Sequence, residues 1–319
     1  MQLNSFARTL IEQEVLPNAN ALRIAIHQLP NRSRLIDFGC KVPGGLEAGL
    51  LLARICMSDL AKVQLGPADR SVWDGPLVQV TTDDPRNACM ASQYAGWKIA
   101  SDSFFAMGSG PMRAKRGREA VLERLAIQDS SVCAVGVLEC DGLPNSDVTE
   151  MVAKECGVHP ESVVLCVAPT GSIAGVLQVV ARSVETSLHK LFELGFDLHG
   201  IHSAHGTAPM APVANEFVQG IGRTNDAILY GGHVTLWVDA DDETIASIGP
   251  KVPSSASKDF GKPFAKTFKE YRYDFYQVDP GLFAPAVVTF VNLRTGRSHR
   301  FGKMVPEVLR ESFGEIHPS

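Results

Sequence analysis

The sequence lacks the features that mark several large classes of protein. Its 30 lysines and arginines are outnumbered by 35 aspartates and glutamates, so it has no basic excess with which to bind nucleic acid or an anionic membrane. It contains no run of about 18 apolar residues, the length that a membrane-spanning helix needs. These absences predict a small molecule as the partner, with no nucleic acid and no membrane.

Paired cysteines are also missing. The seven cysteines form an odd set without any Cys-x-x-Cys pair, and most of them lie in apolar segments. This usage predicts reduced thiols in a cytoplasmic protein rather than a disulfide framework or a zinc knuckle. The cysteines are Cys40, Cys56, Cys89, Cys133, Cys140, Cys156 and Cys166.

Nucleotide and nucleophile motifs are absent as well. There is no P-loop, the stretch "GSGPMR" (108–113) lacks the frame of a dinucleotide-binding turn, and no nucleophile elbow occurs. We therefore expect neither a permanently bound cofactor nor a covalent Ser-His-Asp mechanism.

What is present is an alternation of apolar strand-like and helix-like segments over 319 residues, of which 45% are hydrophobic. This pattern predicts a mixed α-β (α+β) fold with two similar α/β domains and an active site in the cleft between them. We place the domains at 1–150 and 151–319. The boundary is open: either domain can be discontinuous, and the C-terminal segment can return to the first domain.

An internal similarity supports two related domains. The frame C-x-x-P-x-G-x-x-A-G-x-L occurs at 40–51 and again 126 residues later at 166–177. We interpret the two copies as a possible internal duplication, with a strand, a Pro-Gly turn and a helix in each domain.

Three elements matter for the site. The stretch 84–100 is predicted as a helix with Pro85 in its first turn, and 172–194 as one long helix capped by Ser172. The stretch 226–239 is predicted as two extended segments bent at two consecutive glycines.

The helix predicted at 172–194 contains "ARSVETSLHK", in which Arg182 and Glu185 are three residues apart. Residues with this spacing meet on a helix surface, so a partly exposed ion pair is the ordinary interpretation. The alternative is a cleft-facing pair in which the arginine holds Glu185 ionised as a general base. Burial would raise the pKa of Glu185 and Arg182 would lower it.

Two further polar segments each have two interpretations. Arg223, Thr224, Asn225 and Asp226 form either a turn with an Asx-type bond or a polar rim for a heterocycle such as a pterin. The basic run 113–118 is either a solvated loop or an attraction for an acidic ligand tail.

Three histidines, His199, His202 and His205, stand at intervals of three residues. The intervening Gly200 argues against a helix that would gather them, and no pattern of carboxylates accompanies them. We therefore predict no metal site, although a metal-dependent amidohydrolase that uses these histidines stays open as an alternative.

Taken in order, several long segments resemble the methenyltetrahydromethanopterin cyclohydrolase family over nearly the whole chain. These segments are "DFGCKVPGGLEAG", "TDDPRNACMASQYAGWKI", "FFAMGSGPMR", "ARSVETSLHKLFELGFD" and "GRTNDAILYGG". The histidine-containing segment "LHGIHSAHGTAP" is not part of this resemblance.

The resemblance implies a hydrolase of tetrahydromethanopterin-linked one-carbon metabolism, in formaldehyde oxidation, that forms a homotrimer. It implies Glu185 as the acid–base carboxylate with Arg182 beside it. The implied contacts with the pterin substrate are Arg223, Thr224, Asn225, Asp226, Gln93, Tyr94 and Gly171. A non-catalytic pterin-binding protein, in which the pair is only structural, is the second alternative.

Overall fold

The computed structural model describes residues 1–101 and 104–314. The α-helices are α1 Leu3–Leu10, α2 Ala19–Leu22, α3 Leu46–Cys56, α4 Met112–Arg116, α5 Ala120–Arg124, α6 Ser146–Cys156, α7 Ile173–Val180, α8 Ser183–Glu193, α9 Phe217–Gly231, α10 Asp242–Ile248, α11 Phe264–Glu270 and α12 Pro306–Phe313. The strands are β1 Ala25–Gln28, β2 Arg34–Asp37, β3 Lys62–Gly66, β4 Leu77–Thr82, β5 Trp97–Ser101, β6 Phe104–Ser109, β7 Ala134–Glu139, β8 Val163–Val167, β9 Ile201–Pro209, β10 His233–Val238, β11 Val287–Asn292 and β12 Ser298–Gly302.

The chain forms two compact units, and each is built from two segments. The first contains residues 1–62 and 87–178, and the second contains residues 63–86 and 179–319. Each unit has one mixed six-stranded sheet, which confirms the predicted α+β fold with two similar halves. The division differs from a single boundary at 150, because 151–178 lies with the first segment and 63–86 with the last.

The sheet of the first unit has the order β1-β2-β8-β7-β6-β5, with β2, β8 and β7 parallel. Both faces of this sheet are buried. Ile36 and Val164 belong to a core that contains α1 and α3, while Leu35 and Leu165 belong to a second core that contains α6. Two buried faces explain why the central strands read as continuous apolar runs.

The sheet of the second unit has the order β12-β11-β10-β9-β4-β3. Only β10 and β11 are described as a parallel pair; β9 runs antiparallel to both β10 and β4, and β12 runs antiparallel to β11. Helix α8 packs closely on β9, since a Cβ at Gly206 would lie 2.7 Å from a methyl of Val184.

The two copies of the sequence repeat both lie in the first unit. They include or adjoin the neighbouring parallel strands β2 and β8, and α3 and α7 follow these strands. The helices meet at small residues, because a Cβ at Gly49 would lie 2.9 Å from the Cβ of Leu177 and 3.0 Å from the Cα of Ala174. The hypothesis that each copy belongs to its own domain is therefore wrong; the repeat describes two adjacent strand–turn–helix pieces.

Three predicted elements also need correction. Residues 84–100 form a π-helical segment, Arg86–Gln93, followed by β5, rather than one helix. The stretch 226–239 is the end of α9 followed by β10, so its first half is helical. The predicted long helix 172–194 is divided into α7 and α8. Ser172 caps α7 as predicted, because its hydroxyl accepts a hydrogen bond from the Gly175 N–H at 3.0 Å.

Candidate active site

The break between α7 and α8 determines where Arg182 and Glu185 lie. The Arg182 N–H donates to the carbonyl of Val179, three residues back, at 3.1 Å. A bond of this spacing forms a 3₁₀ turn, and α7 ends there. The Arg182 carbonyl then accepts from the Thr186 N–H at 2.9 Å and starts α8. Arg182 is thus the residue before α8, and Glu185 lies in the first turn of that helix.

This placement favours an ionised carboxylate at Glu185. The first turn of a helix presents N–H groups without helical acceptors and the positive end of the helix dipole. Nη1 of Arg182 lies 3.7 Å from Oε2 of Glu185. The two residues are 8% and 5% exposed, so the pair is buried rather than the solvent-exposed helical pair of the ordinary interpretation.

A buried carboxylate beside a guanidinium is better suited to acid–base chemistry than a carboxylate in a surface ion pair. Low local dielectric strengthens the attraction, and fixed partners hold the carboxylate in one orientation. Such a group can accept a proton from water and return it to a leaving nitrogen.

The predicted polar rim at 223–226 belongs to helix α9, so the prediction of an Asx-type turn is wrong. Arg223 donates through Nε to the Ser312 carbonyl and through Nη1 to the Val213 carbonyl, each at 3.1 Å. Burial lowers the pKa of Arg223. The Asn225 amide donates to the Ile221 carbonyl at 2.8 Å, one helical turn back.

Thr224 and Asp226 are on the buried side of α9. The Thr224 hydroxyl donates to the Gly220 carbonyl at 3.0 Å, again one turn back. The Asp226 carboxylate accepts from the Phe264 N–H at 2.9 Å and from the Ser312 hydroxyl at 2.6 Å. Burial raises the pKa of Asp226 to about 7. The described bonds of Asp226 hold α11 and α12 against α9.

The remaining predicted contacts lie in the first unit. Gln93 ends the π-helical segment and Tyr94 follows it, with the Tyr94 N–H bonded to the Cys89 carbonyl at 2.8 Å. Gly171 is an exposed residue of the turn between β8 and α7. Arg182, Glu185 and 223–226 all belong to the second unit.

The basic run 113–118 is a solvated loop only at its end, where residues 117 and 118 are exposed. It begins in α4, where Arg113 is fully buried and forms an ion pair with Glu119. The Arg116 guanidinium lies 4.4 Å from the centre of the Trp97 ring and bonds Glu155 at 3.0 Å. The basic run included Arg113, but its pairing with Glu119 was not predicted, because residues six apart do not face each other on a helix.

The three histidines do not form a cluster. Nδ1 of His199 lies 3.0 Å from the Asp197 carboxylate. Nδ1 of His205 lies 2.9 Å from the Thr81 hydroxyl, and burial lowers the pKa of His205. Within residues 1–101 and 104–314, no three His, Cys, Asp or Glu side chains are grouped so that they could hold a metal ion. The arrangement of these histidines does not favour the amidohydrolase alternative.

Two further findings concern the cysteines and the helices of the described residues. The seven cysteines all fall in the described ranges, and each is a thiol rather than half of a disulfide. Among the described helices, none combines the length and the apolar character that crossing a membrane requires.

The chain with these two sheet-bearing units is a hydrolase of the cyclohydrolase class. The family model described as Cyclohydrolase (MCH) matches residues 2–313, and the chain belongs to this family.

Relatives from bacteria and archaea carry the same description, methenyltetrahydromethanopterin cyclohydrolase. The protein of Rhodopirellula baltica is 53% identical over 287 residues, covering 88% of this chain and 86% of its own. That of Methylobacillus flagellatus is 43% identical over 98% of this chain and 95% of its own. That of Methanosarcina barkeri is 44% identical over 98% of both chains.

Proposed function

We propose that this protein hydrolyses 5,10-methenyl-tetrahydromethanopterin to 5-formyl-tetrahydromethanopterin, reversibly. The observation that carries the proposal is the buried Arg182–Glu185 pair at the start of α8, in a chain that matches the cyclohydrolase family over residues 2–313. The relatives' shared description supplies the substrate class.

The chemistry of the substrate explains why a positioned acid–base carboxylate is enough for the reaction. Its methenyl carbon bridges N5 and N10 as an amidinium-like cation and is already electrophilic. Water attacks this carbon and must lose a proton as the new C–O bond forms. We assign this proton to the Glu185 carboxylate, and a positioned base of this kind contributes roughly 10²–10⁴-fold to the rate.

The second step opens the ring. The C–N10 bond of the carbinolamine breaks as the protonated Glu185 returns its proton to N10. The hydroxyl oxygen forms the C=O bond and releases its own proton to water, which leaves the formyl group on N5. Arg182 keeps the carboxylate ionised and oriented before the first transfer. No permanently bound cofactor takes part in this scheme.

Substrate binding is part of the same proposal. Gln93, Tyr94 and Gly171 are assigned to substrate binding. On α9, Arg223 and Asn225 are partly exposed and are assigned direct contacts, while the buried Thr224 and Asp226 support the helix that presents them.

The test is the loss of the methenyl chromophore in a spectrophotometric assay, with the tetrahydrofolate analogue run in parallel. We expect rapid hydrolysis of the tetrahydromethanopterin compound and slower hydrolysis of the analogue. Binding without a change in absorbance would favour a non-catalytic pterin-binding protein. Stoichiometric metal that is lost together with activity would favour an amidohydrolase.

We further propose a cytoplasmic homotrimer that serves formaldehyde oxidation. The seven thiols support a reducing compartment, since disulfides form and persist in oxidising ones. Light scattering of the purified protein tests the trimer. Loss of growth on formaldehyde-generating substrates after gene deletion tests the pathway.

A further inference from the structure

The segment Arg86–Gln93 is a π-helix of eight residues, and Asn87–Gln93 are all buried. Its wider winding is seen in the Tyr94 N–H, which bonds the carbonyl five residues earlier, at Cys89, at 2.8 Å. The Ser92 hydroxyl likewise donates to the Asn87 carbonyl, five residues back, at 2.8 Å. π-helical turns are rare, mostly single, and frequent at functional sites, so an eight-residue segment needs support from elsewhere in the fold.

That support comes from Arg113. Nη1 of Arg113 points at the last carbonyls of the segment, 3.5 Å from Met90 O and 3.4 Å from Ser92 O. The carbonyls at the C-terminal end of a helix have no helical donors, and a cation there also complements the negative end of the dipole. The guanidinium carbon lies 4.7 Å from the centre of the Tyr94 ring, within the range of a cation–π contact.

Glu119 fixes the guanidinium in this orientation. Nε of Arg113 donates to Oε1 of Glu119 at 2.9 Å, and Nη2 donates to Oε2, so the pair is bidentate. Gly117 adopts a left-handed conformation with φ of 66° and turns the chain between the two residues. A Cβ at Gly96 would lie 2.7 Å from Oε2 of Glu119 and 2.9 Å from Cε1 of Tyr94, so carboxylate and ring are packed closely.

We propose that Arg113 is a positioning residue for the pterin substrate, acting through the end of the π-helix that carries Gln93 and Tyr94. This inference rests on the proposed function and its assignment of those two residues. Arg113 is itself 0% exposed, so it acts on the substrate only through the backbone and the ring that it holds. The N–H donors of its planar guanidinium reach the Met90 and Ser92 carbonyls and the Glu119 carboxylate at the same time, which a lysine ammonium cannot do.

The test compares Arg113→Lys with Arg116→Lys. Arg116 is a matched control on the same helix, because it also stacks on an aromatic ring and bonds a glutamate, but its described partners, Trp97 and Glu155, lie outside residues 86–94. For Arg113→Lys we expect KM to rise about tenfold or more with kcat within about threefold of wild type, since binding contacts shared by ground and transition state are lost.

A second measurement separates positioning from general loosening. Hydrogen exchange of the backbone amides should become faster in residues 87–95 of Arg113→Lys, with unchanged exchange at α8. Arg116→Lys should keep wild-type KM and wild-type exchange in residues 87–95.

If Arg113→Lys does not fold, the KM of Glu119→Asp is used to test the inference instead. This variant keeps the charge but shortens the arm that holds the guanidinium, and a KM increase of about threefold or more supports the inference. Unchanged KM in the variant that folds, or an equal KM increase in Arg116→Lys, overturns it. A wild-type protein without hydrolytic activity would instead sink the proposed function.

Discussion

The two units each contain a buried arginine–glutamate pair, and the two pairs differ in geometry. In the first unit, Arg113 and Glu119 are joined by two hydrogen bonds through Nε and Nη2. In the second unit, Arg182 and Glu185 approach at 3.7 Å between Nη1 and Oε2. That distance is too long for a hydrogen bond, whereas the bidentate bonds are fixed in direction.

Under the proposed function, the pair of the first unit is the supporting one and the pair of the second unit is the reactive one. Both carboxylate oxygens of Glu119 accept hydrogen bonds from Arg113. The Oε2 of Glu185 lies farther from its arginine than the carboxylate oxygens of Glu119 do from theirs. We therefore expect removal of the charge on Glu119 to cost stability and removal of the charge on Glu185 to cost turnover.

The largest expected effect is in Glu185→Gln. The amide keeps the shape but cannot accept the proton from water, so kcat should fall by roughly 10³-fold or more. Stopped-flow loss of the methenyl absorbance measures this, and fluorescence titration should show pterin binding largely intact. Glu193→Gln, at the exposed end of the same helix, is the matched control. Near wild-type turnover in Glu185→Gln would remove this residue from the mechanism.

Arg182→Ala should be the next most impaired. Loss of the guanidinium leaves Glu185 buried without its described cation, and we expect kcat to fall by about 10²-fold. Arg182→Lys should recover only part of the rate, because a point charge replaces a planar fork. The same absorbance assay applies. A loss of less than about threefold in Arg182→Ala would mean that the pair is structural.

Glu119→Gln should show the opposite pattern. It leaves the fully buried Arg113 without its carboxylate, and breaking a buried pair in this way costs about 3 kcal/mol in the free energy of unfolding. Urea denaturation followed by circular dichroism measures it. Glu155→Gln, which loses the more exposed partner of Arg116 and Arg118, should cost less than about 1 kcal/mol. Equal losses in the two variants would contradict the distinction between the pairs.

Asp226 extends the comparison to a buried carboxyl whose described donors are the Phe264 N–H and the Ser312 hydroxyl. Burial raises the pKa of Asp226 to about 7, above its usual value, so the folded state holds this proton more tightly than the unfolded chain. Its contribution to stability is therefore present at low pH and falls as pH rises towards 7. Relative to Asp226→Asn, wild type should lose roughly 1–2 kcal/mol between about pH 5 and pH 6.5.

Urea midpoints of both proteins across this range test the prediction. Asp242 provides a control whose contribution stays nearly constant across this range, because hydrogen bonds led by Asn292 lower the pKa of Asp242 to about 2. The stabilisation from Asp242 is present above its unfolded pKa and is lost as pH falls through its folded value. A wild-type stability that rises relative to Asp226→Asn with pH would contradict the assignment.

The smallest effect is expected from the histidines. His199→Ala and His205→Ala should each change kcat by less than about twofold, because their described partners are structural and exposed groups rarely shift activity. The absorbance assay and elemental analysis of both variants measure this. A large loss of activity together with loss of a bound metal would reopen the amidohydrolase alternative.

The mixed α-β class with two similar halves was readable from the alternation of apolar segments. The apolar run of β8 is buried throughout, as expected for a central parallel strand. Spacing also predicted correctly that Arg182 and Glu185 lie close together.

Other features were not readable, for physical reasons. Helix α9 contains Gly220, Gly222 and Gly231, which argue locally for turns. Tertiary packing makes this stretch helical instead. A Cβ at Gly222 would lie 2.8 Å from the Cβ of Ala265, so the glycine allows α11 to pack closely on α9. The break after Val180 carries no glycine or proline, and a π-helix uses the same residues as an α-helix. Burial of Arg182 and Arg113 depends on elements distant in sequence.

The discontinuous units also bear on how the chain is made. Strands β3 and β4 are synthesised early, yet β4 pairs with β9, which begins about 120 residues later. At synthesis rates of about 5–20 residues per second, the edge of β4 that pairs with β9 stays unpaired for roughly 6–24 seconds. Unpaired strand edges recruit other chains during that time. Expression at reduced temperature or with added chaperones should therefore protect this segment of the nascent protein.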